Sequence, residues 1–426
     1  MFAKTRNLFV EGSIPGDAAR IYTIQFFISF FGLVGGIIVA RVLGPAEKGI
    51  FDLFNVINSF IAELGLLGFG SGLLYYLANE GKPLSEIHGT GVAFSLGTGL
   101  LTIVVGWITL PFWNAIFPGL HNWIILLAFF LAPVLYYRLV WSNIMTGINE
   151  AVTTYKIGFV ITTAYLLAIF ALWAGGQLDA KSVIGLAALL GVIHAGAAFW
   201  LLYKREPKLE PNISLMRKSL QYGLVIYVGV IANILHFKID QVMINFWLGT
   251  KAVGIYAVSV TWAEALFLID NAILSAALYK ISSSSTEESY ALTKRLLKAQ
   301  LMISGGSGLI LAVIAYPLIL TLYGQAYSEA IWPLIVLIPG IVAWSVSRIV
   351  ANRLVYNNRK AAFVVKIAVL ATIVNFILTY LFIIIINLGI IGASIASTLS
   401  YLLFALIIII YPQPESLTVS NKATNS

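Results

Sequence analysis

The chain is dominated by apolar runs, each about twenty residues long and nearly free of charge. The hydrocarbon core of a bilayer is about 30 Å thick, and a helix rising about 1.5 Å per residue needs roughly 20 residues to cross it. Windows of that kind fall near 21–41, 50–78, 88–112, 123–146, 153–174 and 182–203, then near 219–247, 254–279, 299–322, 330–352, 362–386 and 389–411. The runs are continuous rather than alternating, which favours helices over an outer-membrane barrel. Charged residues make up 10% of the chain, against roughly 25% in soluble domains. That leaves too little polar surface for a water-soluble fold. The expected class is an all-α integral membrane protein of about twelve transmembrane helices. The first run, Ile21 to Ala40, ends in Arg41-Val42-Leu43-Gly44 instead of a small-residue cleavage site. It reads as a retained helix rather than a signal peptide.

The basic residues test this count. With twelve crossings and a cytoplasmic N-terminus, only Arg41, Lys48, Lys181 and Lys251 of the 26 Lys and Arg fall outside. Arg138, Lys238 and Arg348 lie inside spans, and the rest fall on the cytoplasmic side. A miscounted helix scrambles such a bias. The net charge of +8 is therefore read as topology and not as affinity for nucleic acid. The expected location is the cytoplasmic membrane, multi-pass, with both termini cytoplasmic.

One short motif occurs twice. Leu43-Gly44-Pro45-Ala46-Glu47-Lys48-Gly49-Ile50-Phe51 and Leu248-Gly249-Thr250-Lys251-Ala252-Val253-Gly254-Ile255-Tyr256 both read Leu-Gly, four residues, Gly-Ile, aromatic. Pro111 and Pro317, and Pro133 and Pro339, recur at nearly the same offset. The chain thus reads as a duplication. The expected division is a six-helix lobe over 1–205, a linker over 206–218, a second six-helix lobe over 219–411 and a disordered cytoplasmic tail over 412–426. Six spans per unit make the repeat parallel, with a cleft between the lobes. Both motifs fall on the outer face as turns between spans 1 and 2 and spans 7 and 8. Gly44, Gly49, Gly249 and Gly254 are therefore candidate gate residues.

Polar residues buried in spans are costly and usually face a cavity or a partner. Asp52, Asn55, Ser59 and Glu63 share a face of span two; Thr261, Glu264, Asn271 and Ser275 share one of span eight. The repeat offset carries Ser59 onto Glu264. Asn233, His236 and Asp240 share a face of span seven, with Lys238 on its other side. Span one carries Gln25, Ser29, Gly32 and Gly36; Gly32 and Gly36 also have helix-packing spacing. Each ionisable residue has a structural reading beside the functional one. Glu63 and Glu264 are candidate ion-pair partners of Arg138 and Arg348. Asp240 could tie helices together, His236 could be a hydrogen-bonded interior residue, and Asp270 lies off the stripe, between helices. Asp52 stands near the outer mouth.

No catalytic constellation emerges. There are no cysteines, and His88, His121, His194 and His236 lack metal-ligand spacing. There is no P-loop. Gly68-Phe69-Gly70-Ser71-Gly72 lies inside an apolar span and reads as a close-packed or flexible helix segment. The short loops leave no room for a catalytic domain, so the chain is not expected to be an enzyme or to bind a cofactor.

Three stretches resemble one family. They are Arg41 to Gly49, Gly65 to Tyr76, and Ile239-Asp240 followed by Leu248-Gly249 and Gly254-Ile255-Tyr256. They are similar to the motifs of Wzx-type polysaccharide flippases, of the superfamily that also holds lipid II flippases and multidrug (MATE) exporters. The resemblance covers essentially the whole chain. It implies a V-shaped, MATE-like fold of two six-helix lobes. It implies translocation of a polyprenyl-pyrophosphate-linked oligosaccharide between leaflets, with polymerase and glycosyltransferases of the same pathway as partners beside membrane lipid. Arg138, Lys238 and Arg348, with Arg20 and Arg41 at the mouths, become the expected cations for the pyrophosphate. Glu63, Asp240, Glu264 and Asp52 become the acids expected to couple transport to H⁺ or Na⁺. These acids also suit an exporter of organic cations, and that alternative and the lipid II flippase stay open.

Overall fold

The computed structural model describes residues 14–283 and 286–411, and side chains are not described at 14–18, 225, 269 and 271–287. The tail beyond Tyr411, the Ser282–Ser285 run and the side chains of Asn271 and Ser275 therefore lie outside the described residues. The described chain is helical. The continuous run Ile14–Leu66 is broken at Gly44, where φ is +72° and ψ is 172°. We call its parts α1 (14–43) and α2 (45–66). Then follow α3 (Phe69–Glu80), α4 (Leu84–Ile108), α5 (Leu110–Ile116), α6 (Asn122–Phe130), α7 (Ala132–Gly147), α8 (Ala151–Ala174), α9 (Ala180–Arg205) and α10 (Ile213–Leu248). The chain continues with α11 (Thr250–Ser283), α12 (Thr286–Leu322), α13 (Ile331–Asn352), α14 (Ala361–Tyr380) and α15 (Gly389–Ile410).

Eleven stretches among the described residues are long and apolar enough to cross a bilayer. The first, Ala19–Leu66, has 48 residues, about twice what one crossing needs. The break at Gly44 divides it, so twelve crossings result. The protein is a multi-pass membrane protein.

The repeated Leu-Gly is where the helix breaks in both copies. Gly249 stands at φ +82° between α10 and α11, as Gly44 does between α1 and α2. A side chain at either position strains the backbone. The matched prolines differ. Pro111 and Pro133 sit in the first turns of α5 and α7, where a missing N–H costs nothing. Pro317 and Pro339 lie inside α12 and α13.

Two compact units divide the described chain. One holds the residues up to Ile234 with Leu248–Gly254; the other holds Leu235–Trp247 with the residues from Ile255. The dividing line runs through α10, beyond the 206–218 linker. In the first unit, glycines let helices approach closely, as membrane packing favours. A Cβ at Gly99 would meet Pro133, one at Gly106 would meet Phe129, and one at Gly65 would meet Tyr136. The Gly68–Gly72 run is close-packed: a Cβ at Gly68 would lie 2.4 Å from the carbonyl oxygen of Gly223, and one at Gly72 2.2 Å from that of Ser219. By contrast, a Cβ at Gly32 or Gly36 would meet nothing within 4 Å, so their helix-packing spacing is unused among the described residues.

The linker is pinned to the start of α4. Glu210 N donates to the Ser85 carbonyl (3.2 Å), Asn212 N to Thr90 Oγ1 (2.9 Å) and Asn212 Nδ2 to Glu86 Oε2 (3.2 Å). In the second unit, Leu292, Leu296 and Leu297 pack one face of α12 against the buried Ile349.

Candidate functional site

Two cavities in the first unit share Arg138. The larger, ≈ 370 Å³, is lined by Ser59 and Glu63 of α2, Arg138, Trp141 and Ser142 of α7, Thr154 of α8 and His194 of α9, with apolar side chains completing it. The smaller, ≈ 220 Å³, takes in Asn55, Asn58, Arg138 and the small residues Ala187, Ala188 and Gly191 of α9. The local sequence explains the arrangement. Pro133 opens α7, and steps of three and four residues then set Arg138, Trp141 and Ser142 on one face. Ser59 and Glu63, one turn apart, do the same on α2.

Arg138 stands about 14 Å from the Gly147 end of α7 at 1.5 Å per residue. Its Nε, Trp141 Nε1 and Thr154 Oγ1 are buried without a hydrogen-bond partner. Such groups are normally met by water or a ligand. Neither Arg138 nor Glu63 makes an ion pair among the described residues. The cavity thus holds one cation and one carboxylate that are not joined to each other. Trp141 is fully buried and meets His194 edge-on, with ring centroids 6.0 Å apart.

The other expected cations are engaged elsewhere. Lys238 reaches Glu264 at 4.0 Å. Arg348 interacts electrostatically with Asp270. That carboxylate is buried and accepts from Gln300, from Ser304 at 2.5 Å and from Ser345. The candidate pairings Glu63–Arg138 and Glu264–Arg348 are therefore not the ones formed. Arg20 and Arg41 line neither cavity. Asp52 is largely buried and pairs with Lys48, which is 7% exposed. Lys48, read from sequence as a loop cation, begins α2 instead, and i,i+4 spacing brings the two together.

Asp240 is buried in the second unit. It accepts from Tyr256 Oη (2.5 Å), from the Gln241 backbone N–H (2.7 Å) and from Ser397 Oγ (3.4 Å). Asn375 Nδ2 donates to Ser397 and Ser400, both at 3.2 Å. Asn375 Oδ1 and Thr379 Oγ1 are buried without a partner. His236 is interior too, stacked on Trp344 and 3.4 Å from Thr372 Oγ1. Asn233, expected on the same stripe, is exposed. α13, α14 and α15 supply Trp344, Thr372 and Tyr401 around His236, one turn before Asp240 on α10.

The repeated turns meet within the first unit. A Cβ at Gly49 would lie 1.8 Å from the Thr250 carbonyl oxygen, and one at Gly254 2.0 Å from that of Pro45. Glu47 Oε2 accepts from Ala180 N (3.2 Å), which fixes the first turn to the start of α9.

The family profile described as "Polysaccharide biosynthesis protein" matches residues 38–332, more than half of the chain. The chain belongs to this family, that of the Wzx-type flippases. The family and fold are those of membrane flippases and transporters rather than enzymes. No curated protein matches the sequence. Among solved structures, a lipid II flippase, MurJ, in an inward closed conformation aligns at 14% identity and a TM-score of 0.73, covering 91% of this chain and 86% of that one. An inward-facing multidrug resistance MATE transporter of the MOP superfamily aligns at 15% identity and a TM-score of 0.67, with 96% and 99% covered. A MOP superfamily transporter from Pyrococcus furiosus, described by the reverse polarity of its binding pocket, aligns at 14% identity and a TM-score of 0.60, with 92% and 93% covered. At these identities the likeness establishes the fold.

Several groups around these sites escape a reading based on charge. Trp141, Ser142, Thr154 and His194 sit in spans that look ordinary apart from Arg138. Asn375 and Thr379, one turn apart in an apolar run, carry a signal that charge counting passes over.

Proposed function

We propose that the protein carries a polyprenyl-pyrophosphate-linked oligosaccharide from the inner to the outer leaflet of the cytoplasmic membrane by alternating access. It would serve surface polysaccharide biosynthesis, beside the polymerase and glycosyltransferases of that pathway. The observation that carries this reading is Arg138: an intramembrane guanidinium with no carboxylate partner among the described residues, in a cavity with hydroxyl groups. An uncompensated charge at such depth is costly, and a planar donor fork suits phosphate oxygens. The sequence-based orientation, with cytoplasmic termini, puts this cavity nearer the leaflet where the substrate is made.

Coupling fits the Asp240 cluster. Its oxygens, with those of Asn375 and Ser397, are the hard acceptors a proton or sodium ion uses. The competing reading, an exporter of organic cations, draws on Glu63 in the Arg138 cavity. Purified protein in vesicles with a labelled lipid-linked oligosaccharide separates the two. Arg138→Gln removes charge-assisted hydrogen bonds worth about 1.5–3 kcal/mol each, so delivery to the far leaflet should fall at least about tenfold. Undiminished delivery in a folded variant, or drug efflux without lipid movement, would overturn the proposal.

A further inference from the structure

We infer that Glu63 reads the sugar joined to the pyrophosphate and admits a neutral or amino sugar while rejecting a uronic acid. This rests on the function proposed above and adds to it the class of the first sugar. An arginine and a glutamate sharing a cavity in a low-dielectric interior would ordinarily close into a bidentate pair. Here they do not. Glu63 projects from α2, while Arg138 lies toward α9, where a Cβ at Gly191 would be 3.9 Å from its Nη1. The ≈ 370 Å³ cavity takes in both groups. A ligand complementary to it carries an anionic group beside hydrogen-bond donors.

With phosphate at Arg138, the group that follows it meets Glu63. An ionised carboxylate only accepts hydrogen bonds. Sugar hydroxyls, an amide N–H or an ammonium satisfy it, whereas a sugar carboxylate faces it with like charge in a poorly solvated space. Ser59 and Ser142 add hydroxyl-bearing side chains to the lining. The volume is near the lower end for small-molecule sites, roughly 300–1,000 Å³. The site therefore has room for a phosphate and one sugar, and the distal glycan goes unread. In this scheme Glu63 is a specificity residue and not the coupling acid.

The test uses the full chain in vesicles and two probes: polyprenyl pyrophosphate bearing a single hexose, and the same lipid bearing the corresponding hexuronic acid. Like-charge juxtaposition costs several kcal/mol, so the wild type should bind the hexose lipid at least about tenfold more tightly. Glu63→Gln should bring the two to within about threefold of each other. Arg138→Gln should weaken both and leave their ratio unchanged. Equal binding of the two lipids by the wild type overturns the inference, and so does an unchanged ratio in Glu63→Gln. The wild-type ratio needs no variant, so a misfolded Glu63→Gln does not protect the inference. Binding of neither lipid refutes the proposed function itself, a result distinct from binding without discrimination.

Discussion

The contact between the two repeated turns makes a sharp prediction. A Cβ at Gly49 would stand 1.8 Å from the Thr250 carbonyl oxygen, where real contacts essentially never fall under 3.0 Å. Alanine at this position therefore forces the turns more than 1 Å apart, because the obstructing atom is backbone and has no rotamer to change. Overpacking of this kind costs about 1–3 kcal/mol, a shift of roughly 5–150-fold against the state in which the turns touch. Gly254→Ala meets the Pro45 carbonyl oxygen at 2.0 Å and should act alike. The double variant should cost less than the sum, because each Cβ also approaches the other glycine's nitrogen, at 3.0 and 2.8 Å, and separation by the first relieves the second. Gly32→Ala is the control: it meets nothing within 4 Å and should be neutral or gain up to about 1 kcal/mol from helix propensity. The chain has no cysteine, so spin labels at Ala46→Cys and Lys251→Cys, both exposed, report the separation cleanly. Melting in detergent reports the cost. Unchanged distance distributions and melting temperatures in both single variants would refute the reasoning.

Other outcomes follow from the buried charges and the helix ends. Lys48→Met removes the ammonium that pairs with the largely buried Asp52 and should destabilise the protein, whereas Lys48→Met with Asp52→Leu should cost less; thermal melting of the two variants decides it. Asp179 caps α9 by accepting from Ser182 N at 2.7 Å, so Asp179→Ala should lose about 1 kcal/mol. That backbone hydrogen bond, with the Ser182 side chain second, holds the Asp179 carboxyl below its usual range. The depressed pKa contributes stability that is present above the ordinary value of about 3.9 and is lost as pH falls through the folded value. The melting temperature of Asp179→Ala should therefore converge on that of the wild type in acid. Asp240→Asn keeps the shape of its cluster but removes the charge; transport in vesicles should lose its response to a sodium or proton gradient, and a retained response would assign coupling elsewhere.

The fold was legible because its determinants are local. Helices across a bilayer are announced by length and hydropathy, and the breaks at Gly44 and Gly249 by residues that alone tolerate positive φ without strain. The close packing of Gly68–Gly72 was legible for a related reason, since a glycine run inside a span has few uses besides bringing backbones together. Partners of the buried charges were less legible. Which side of a helix faces a neighbour depends on packing from elsewhere in the chain, and a stripe such as Asn233-His236-Asp240 can turn one end outward. The Lys48–Asp52 pair follows from i,i+4 spacing once Lys48 lies inside α2, and a loop position for the lysine hides it.

The two compact units treat their polar groups differently. Spans four and ten each carry an arginine. Arg348 interacts with Asp270, and Gln300, Ser304 and Ser345 saturate that carboxylate. Arg138 and Glu63 have no such network, and their nearest space is a cavity. A satisfied buried network rigidifies, while an unsatisfied one persists only where something else supplies the missing partners. The second unit keeps open acceptors at Asn375, linked to Asp240 through Ser397, and at Thr379, as well as an open donor at Arg353 Nε. Arg138 Nε and Trp141 Nε1 in one unit, and Asn375 Oδ1 and Thr379 Oγ1 in the other, are thus groups whose partners must come from water or a ligand. A carrier whose anionic cargo met Arg138 and whose driving ion met Asp240 would bind the two at separate places, so Arg138→Gln and Asp240→Asn should affect cargo delivery and gradient response independently.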